Sequence, residues 1–468
     1  MRMPNLRSTA TRTQCTQFEN LIRPKKELFM ETHSGIRLLL MAGMILVLST
    51  IAQPVLAEDS TDAHELKRVI ETQQKQLDAL QKQLEEQGKL IQQLLAKEPS
   101  PVKETGKKDA VAVAPAAEDK IVTSGQERVK LSISGHVSRA VNLVDDGKEN
   151  KAYFVDNDNS ESRVNFVGTA KIDDDLTLGS RIELTIAPNK ASDVDQNNEE
   201  TGDVFEQRWT EVSLESKRFG KISLGRGFTA SYGTASADLS GTMVIATSTI
   251  ADLAGGMLFR QSSDDSLTGI RVNAAFSDYN GLSRKNRLRY DTPKFHGAHL
   301  AVSAVSDDRY DAGLYWGGQG YGFKMAAAAG IADLNEDDTD YQYTGSFAIL
   351  HEETGLNLAL STGGKKRDEQ DNATNYFVKA GWLANLFSVG KTAFSLDYTT
   401  GKGLPYTTEE DLTAEDDETE SYAATVVQRF DKFGTELFAI YRLYELDRDE
   451  GPNVHDIGVA SMGARVKF

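Results

Sequence analysis

The stretch RKNRLRYD, residues 284–291, sets Lys285, Arg287 and Arg289 at every second position, with Leu288 and Tyr290 between them. In an extended chain such residues share one face, and the interleaved ones share the other. A row of fixed cations can attract and orient anions or polar solutes, but it breaks no bond. The same arrangement recurs in SRVNFVGTAKI, where Arg163, Asn165, Thr169 and Lys171 oppose Val164, Phe166, Ala170 and Ile172. In GSRIELTI, Arg181, Glu183 and Thr185 oppose Ser180, Ile182, Leu184 and Ile186. Arg226, in SLGRG, breaks the pattern. It has the parity of Ile222 and Leu224, so it is expected where its strand ends. Covalent chemistry has little to work with. Past residue 128 the histidines are His136, His296, His299, His351 and His455, and none falls in a triad motif. The single cysteine is Cys15, and no metal-ligand spacing is present. The expectation is a protein that is not an enzyme and uses no cofactor and no metal.

These charges need strands to carry them. From Arg128 to the end the chain is a series of short alternating runs separated by turn residues. LTLGSRIELTIAP follows SRVNFVGTAKI across Asp173, Asp174 and Asp175. GKISLGRGF follows FEQRWTEVSLES across KRFG, and TELFAIYRLYEL follows SYAATVVQRF across DKFG. These tight turns take turns with long polar loops, among them NKASDVDQNNEETGD, ADLNEDDTD, GGKKRDEQDN and GKGLPYTTEEDLTAEDDETE. Short turns at one end and long loops at the other describe a transmembrane β-barrel. A soluble sandwich alternates too, so the case rests on further features. Aromatic residues sit near strand ends (Phe219, Phe295, Trp382, Phe387, Phe433, Tyr441 and Tyr444), as interfacial girdles require. The last strand, DIGVASMGARVKF, alternates to its final residue. In hydrocarbon every backbone group must be paired, so such a strand must close a barrel. A cation on the lipid face would cost about 2–4 kcal/mol at the midplane, so the basic rows are expected to face the lumen. The segment VDNDNSES offers oxygen ligands but lacks the full calcium-loop pattern, and it reads as a solvated surface loop.

The 468 residues carry a net charge of −18, which argues against a nucleic-acid partner. An apolar run from Leu38 to Ala52 follows Arg37 and ends in small residues at Ala57, the layout of a secretory signal peptide over 1–57. Met30 resembles a natural start, with 1–29 a spurious extension. Between 58 and 95, apolar positions alternate in steps of four and three: Leu66, Ile70, Gln73, Leu77, Leu80, Leu84, Gln87, Ile91 and Leu94. This spacing predicts a self-associating periplasmic coiled coil, with Gln73 and Gln87 fixing register and partner number. Residues 96–126, rich in Pro, Ala, Lys and acid, read as a flexible linker, and the barrel is expected over 127–468.

The ordered set SRVNFVG, FEQRWTEVSLESKRFGKISLGRG, NRLRYDTPKFHG and the terminal Phe468 resembles the Gram-negative general porins over about Arg128 to Phe468. With the heptads ahead of the barrel, the chain further resembles the DcaP-like trimeric porins. The resemblance implies an all-β fold: a homotrimer of sixteen-stranded outer-membrane barrels in contact with lipid and lipopolysaccharide. A literal count reaches eighteen if GGMLFRQS and LTGIRVNAAFS are wall strands. The resemblance also implies that a loop at about 229–283 folds into the pore opposite a basic wall. The positions that match this wall are Arg163, Arg181, Arg226, Lys285, Arg287 and Arg289, and the loop acids would be Asp238, Asp252, Asp264 and Asp265. Phe468 resembles the signal read by the outer-membrane assembly machinery. The implied function is passive diffusion of small hydrophilic solutes and ions. The alternatives are a carboxylate-type specific channel, or an envelope tether whose coiled coil reaches peptidoglycan.

Overall fold

In the computed structural model the described residues are 122–125, 128–202, 205–335, 339–367, 372–403, 417–449 and 451–468. Every described residue falls in the unit Asp109–Phe468. The signal peptide, the coiled coil and most of the linker expected from sequence lie outside the described residues.

Alternation of apolar and polar residues becomes strand throughout. In chain order the strands are β1 (Val122–Gly125), β2 (Val129–Asp145), β3 (Asn150–Asp156), β4 (Arg163–Lys171), β5 (Leu176–Ile186), β6 (Phe205–Ser216) and β7 (Gly220–Phe228). A short hairpin of β8 (Leu258–Arg260) and β9 (Leu267–Arg271) stands apart as its own two-stranded sheet. The series resumes with β10 (Arg284–Asp291), β11 (Ala298–Val305), β12 (Arg309–Gly320), β13 (Phe323–Asp333) and β14 (Thr339–His351). It ends with β15 (Leu356–Arg367), β16 (Ala373–Phe387), β17 (Gly390–Lys402), β18 (Glu418–Phe430), β19 (Thr435–Asp447) and β20 (Ile457–Lys467).

Each wall strand pairs antiparallel with the next, except that β3 and β4 both pair with β2. Strand β7 pairs directly with β10, and β20 closes the ring on β2. With β3 and β4 lying end to end along one edge of β2, and β1 only flanking its start, the ring runs through β2, β4–β7 and β10–β20 as a sixteen-stranded barrel, and the two segments that would have made eighteen form the β8–β9 hairpin inside it. Closure leaves no open edge in hydrocarbon. Strand β2 shows how completely edges are paired. Its second half lies between β20 and β3, and its first half between β1 and β4. Residues 122–125, expected in the linker, are thus a strand. They occupy the edge of Lys130–Ile133 that β20 does not reach.

Outward-facing residues form the apolar belt. Leu178, Ile182 and Ile186 on β5, Ile222 and Leu224 on β7, and Met462 and Val466 on β20 are all exposed to the surroundings of the barrel. Phe219, Phe295, Phe387 and Phe433 are exposed near the short turns, as a girdle requires. Tyr444 is a correction. It points inward, fully buried, and donates to the carbonyl of Ile250 at 2.6 Å. The terminal residue joins the wall: the backbones of Gly135 and Phe468 exchange two hydrogen bonds of 2.9 Å. A Cβ at Gly135 would stand only 2.7 Å from the Phe468 ring, so glycine gives the aromatic its place.

The connection Thr229–Ser283, from β7 to β10, folds into the barrel. Its Ile245, Leu253, Met257, Phe259 and Phe276 pack on the inner faces of Phe377, Val427, Phe438 and Tyr444. Its tip is tied to the chain leading into β20. Ser262 N donates to Asn453 O and His455 N to Arg260 O, each at 2.8 Å. The segment VDNDNSES is also inside, not on the surface. Asp156, Asn157, Ser160, Glu161 and Ser162 are buried, and Asn157 Nδ2 donates to the loop carbonyl of Val244 at 2.7 Å.

Candidate functional site

One side of the lumen is filled by the loop, and the other stays open. The narrow opening between them has a volume of about 360 Å³. Arg163 of β4, Arg208 of β6 and Arg284 of β10 line its wall side. Asp252 and Asp278 of the loop, with Asp158 from the β3–β4 connection, line the rest. Arg208 is held between Glu161 and Glu183, with Nε 2.8 Å from Glu183 Oε1. Lys190 Nζ reaches Glu161 Oε1 at 2.9 Å. Arg284 lies over the rings of Phe228 and Tyr232, 4.9 and 5.4 Å from their centroids. Its Nε is buried and has no hydrogen-bond partner.

The loop acids share one consequence of crowding. Burial and the neighbouring Asp158 and Asp278 carboxylates hold the Asp252 carboxyl well above the usual range, with Arg284 and Arg208 pulling it back. Burial also raises Asp278, against hydroxyl donors from Thr249 and Ser248. Arg163 and Arg284 on one side, and the acids on the other once ionised, can set up a transverse field across the gap, which aligns a dipole and penalises an apolar solute.

Several expected residues stand elsewhere. Of the basic set, Arg163 alone lines this opening. Arg181 faces inward, but its guanidinium lies 3.9 Å over the Trp209 ring and bonds Asn165 at 3.0 Å and Glu183 at 2.5 Å. Arg287 is buried, with Nε to Phe228 O at 2.8 Å, Nη1 to Gly225 O at 2.9 Å and Nη2 to Glu211 at 2.5 Å. Arg289 holds Asp291 and the carbonyl of Thr229, the latter at 2.7 Å. These two arginines root the loop. On its other flank the Asp311 carboxylate accepts from Ala230 N at 3.1 Å and Ser231 N at 2.8 Å. Lys285 shares the inward face of Arg287. Arg226 is a correction. It falls on the outward face of Ile222 and Leu224, bonding the backbone of Gln207 at 2.9 Å, because the alternation of β7 runs unbroken through it.

Among the expected loop acids, Asp252 lines the opening and three do not. Asp238 is buried against Lys379 of β16 at 2.5 Å, a pin beneath the loop. Asp264 caps its own turn through Ser266. Asp265 lies 3.1 Å from His455 Nε2 at the hairpin tip. Arg208, Arg284, Asp158 and Asp278 were not foreseen. Strict alternation places Arg208 with Val212 and Leu214 on the lipid side. A bulge between Glu183 and Leu184 shifts the register, so Arg208 and Trp209 both turn inward.

The sequence matches the Gram-negative porin profile over residues 110–449. The chain belongs to the Gram-negative porin family. It is an outer-membrane porin, a channel for passive diffusion, and not an enzyme. No curated protein matches the sequence. Among solved structures, the anion-selective porin from Comamonas acidovorans is 16% identical, with a TM-score of 0.48, covering 73% of this chain and 100% of its own. The outer-membrane channel DcaP of Acinetobacter baumannii is 12% identical, with a TM-score of 0.46, covering 74% and 99%. The in-vitro folded OmpT of Vibrio cholerae in its trimer form is 12% identical, with a TM-score of 0.47, covering 73% and 100%.

Proposed function

We propose that this porin selects among small hydrophilic solutes by charge and dipole at the opening between Arg163, Arg208 and Arg284 and the acids Asp158, Asp252 and Asp278. The facing of these two groups across about 360 Å³ carries the reading. Among the described residues neither Arg163 nor Arg284 has an ion-pair partner, so both are available to a passing anion. Reversal potentials across a salt gradient test this. Arg163→Gln with Arg284→Gln should move selectivity toward cations, and an unchanged potential would refute the assignment. A carboxylate-specific channel is the second reading, favoured by the unpaired Arg284 Nε. Competition of a carboxylate with chloride current separates it from plain diffusion.

The rest of the reading concerns assembly. The barrel forms a homotrimer, supported by the heptads of 58–95, with 96–126 as its linker and 1–57 removed as signal peptide. The outer-membrane assembly machinery reads Phe468, the barrel contacts lipid and lipopolysaccharide, and peptidoglycan is the target of the coiled coil. Deleting 58–126 should weaken trimers on unheated gels and loosen envelope attachment while conductance persists. Full attachment in that variant would sink the tether. Deleting Phe468 should lower assembled protein far more than it alters the conductance of formed pores.

A further inference from the structure

We infer that a second cleft, beside the short turns, is a binding station for small divalent oxyanions, separate from the constriction. The inference rests on the chain being a water-filled porin with its short turns in the periplasm. The cleft has a volume of about 610 Å³ and lies between β5, β6, β7, β10 and the turns at 217–219 and 292–297.

Its charges divide into two groups. The arginines are already engaged: Arg181 with Glu183, Arg287 with Glu211 and Arg289 with Asp291. Those pairs leave no net charge to attract a solute. Lys217, Lys221 and Lys294 also line the cleft, and among the described residues none of the three has an ion-pair partner. The carboxylate facing them without a partner is Glu215. Lys221 stands directly across from Glu215 on the neighbouring strand and across from Asp291 on the other side. Three lysines against one acid leave an excess of two positive charges, the complement of a dianion. Mobile ammonium groups can close on tetrahedral or planar oxyanions alike. Trp209 and Phe228 give the cleft an apolar shoulder, which suits the carbon backbone of an organic dianion.

The geometry orders events along the pore. A dianion that passes the constriction meets the lysines next, just before the periplasm. The station would hold it there and bias its exit.

Two measurements test the inference. Purified full-length protein carrying Trp316→Phe and Trp382→Phe keeps Trp209 as its one indole, and Trp209 lines the cleft. Hydrogen phosphate and succinate should each change its emission saturably, and chloride should not. The variant Lys217→Gln, Lys221→Gln, Lys294→Gln should weaken that response about threefold or more, the scale expected for losing exposed charge contacts. In planar bilayers, phosphate or succinate should block chloride current more strongly from the short-turn side than from the loop side. A label on Lys432→Cys marks the short-turn side. The triple variant should remove that asymmetry while keeping stepwise conductance. Succinate binding more tightly than phosphate would identify an organic dianion as the occupant, and the reverse an inorganic one. Flat emission with both anions, or a triple variant that responds as the parent does, overturns the station. Absence of conductance steps would count against the channel itself, and the emission measurement would still decide the cleft.

Discussion

Strands β5 and β19 belong to one wall yet read differently. In β5, LTLGSRIELTI, apolar residues alternate with Arg181, Glu183 and Thr185, because its inner face carries a polar network in which Glu183 holds Arg181 and Arg208 and Thr185 bonds Glu161. In β19, TELFAIYRLYELD, Phe438, Ile440 and Tyr444 face inward and Tyr441 faces out, so both faces are largely apolar. The difference marks where the loop lies. An inner face covered by Phe276 and Ile250 no longer needs polar residues. Charges behave accordingly on the two sides. On the dry side they are buried in close pairs: Lys379 with Asp238, and Arg442 with Asp397 at 2.7 Å. On the wet side Arg163 and Arg284 stand apart from the acids they face. The same residue types thus serve as fasteners in one arc and as both fasteners and filter in the other, where Arg208 and Arg287 are buried in pairs and Arg163 and Arg284 are left over.

The comparison breaks most sharply at the dry side. Asp238→Asn leaves Lys379 buried without its partner, which costs about 3–5 kcal/mol. The loop should detach, with larger single-channel steps and new protease cuts between 229 and 283. Replacing both partners by apolar residues should recover much of the loss, and cuts that persist in the double variant would argue against the pin.

At the wet side the expected effects are on selectivity. At a pH above the raised range of both carboxyls, Asp252→Asn with Asp278→Asn should shift reversal potentials toward anions by several-fold in permeability ratio, without loss of assembled barrel. Arg287→Gln and Arg289→Gln should act differently from Arg163→Gln. They free the carbonyls of Phe228 and Thr229 at the loop root, so they should raise conductance noise more than they move the reversal potential.

A smaller effect depends on pH. The Asp252 carboxyl is held above its ordinary range, so the folded protein keeps a proton there that the unfolded chain has already released. Its contribution to stability therefore falls as pH rises from the ordinary carboxylate range through the raised one. Over the same window the opening gains negative charge, and the cation share of the current should rise. Asp252→Asn should flatten that part of the profile, and a profile unchanged in the variant would refute the assignment. The smallest effect belongs to Arg226→Gln, which lies on the outer face. Selectivity should stay as in the parent, and a shift would return Arg226 to the lumen.

The sequence made the architecture legible because a barrel repeats one rule, alternation with two kinds of connection. The inward loop was legible through the resemblance to porins, since alternation alone would have put its two hairpin strands in the wall. Individual site residues were less so, for local reasons. Arg208 sits at a bulge that reverses parity. Arg284 begins its strand with outward parity, and its long side chain bends in over Phe228. Asp278 and Asp238 lie in irregular backbone, where no period says which acid faces water. The acidity of 155–162 suggested surface, yet Asn157 and Glu161 bond inside the barrel.

The hairpin tip holds on to Asn453 and His455, the residues that lead into the closing strand. That attachment sets an order in biogenesis. A nascent barrel whose final strand has not yet zipped onto β2 already offers the hairpin Asp146, Gln196 and Asp195, which hold Arg260, Leu258 and Arg271, and the ties to Asn453 and His455 come last. Sealing the cylinder therefore adds the final fastening to a loop that Lys379, Tyr444 and Asp311 of the wall already hold, and the closing strand locks the bore rather than forming it.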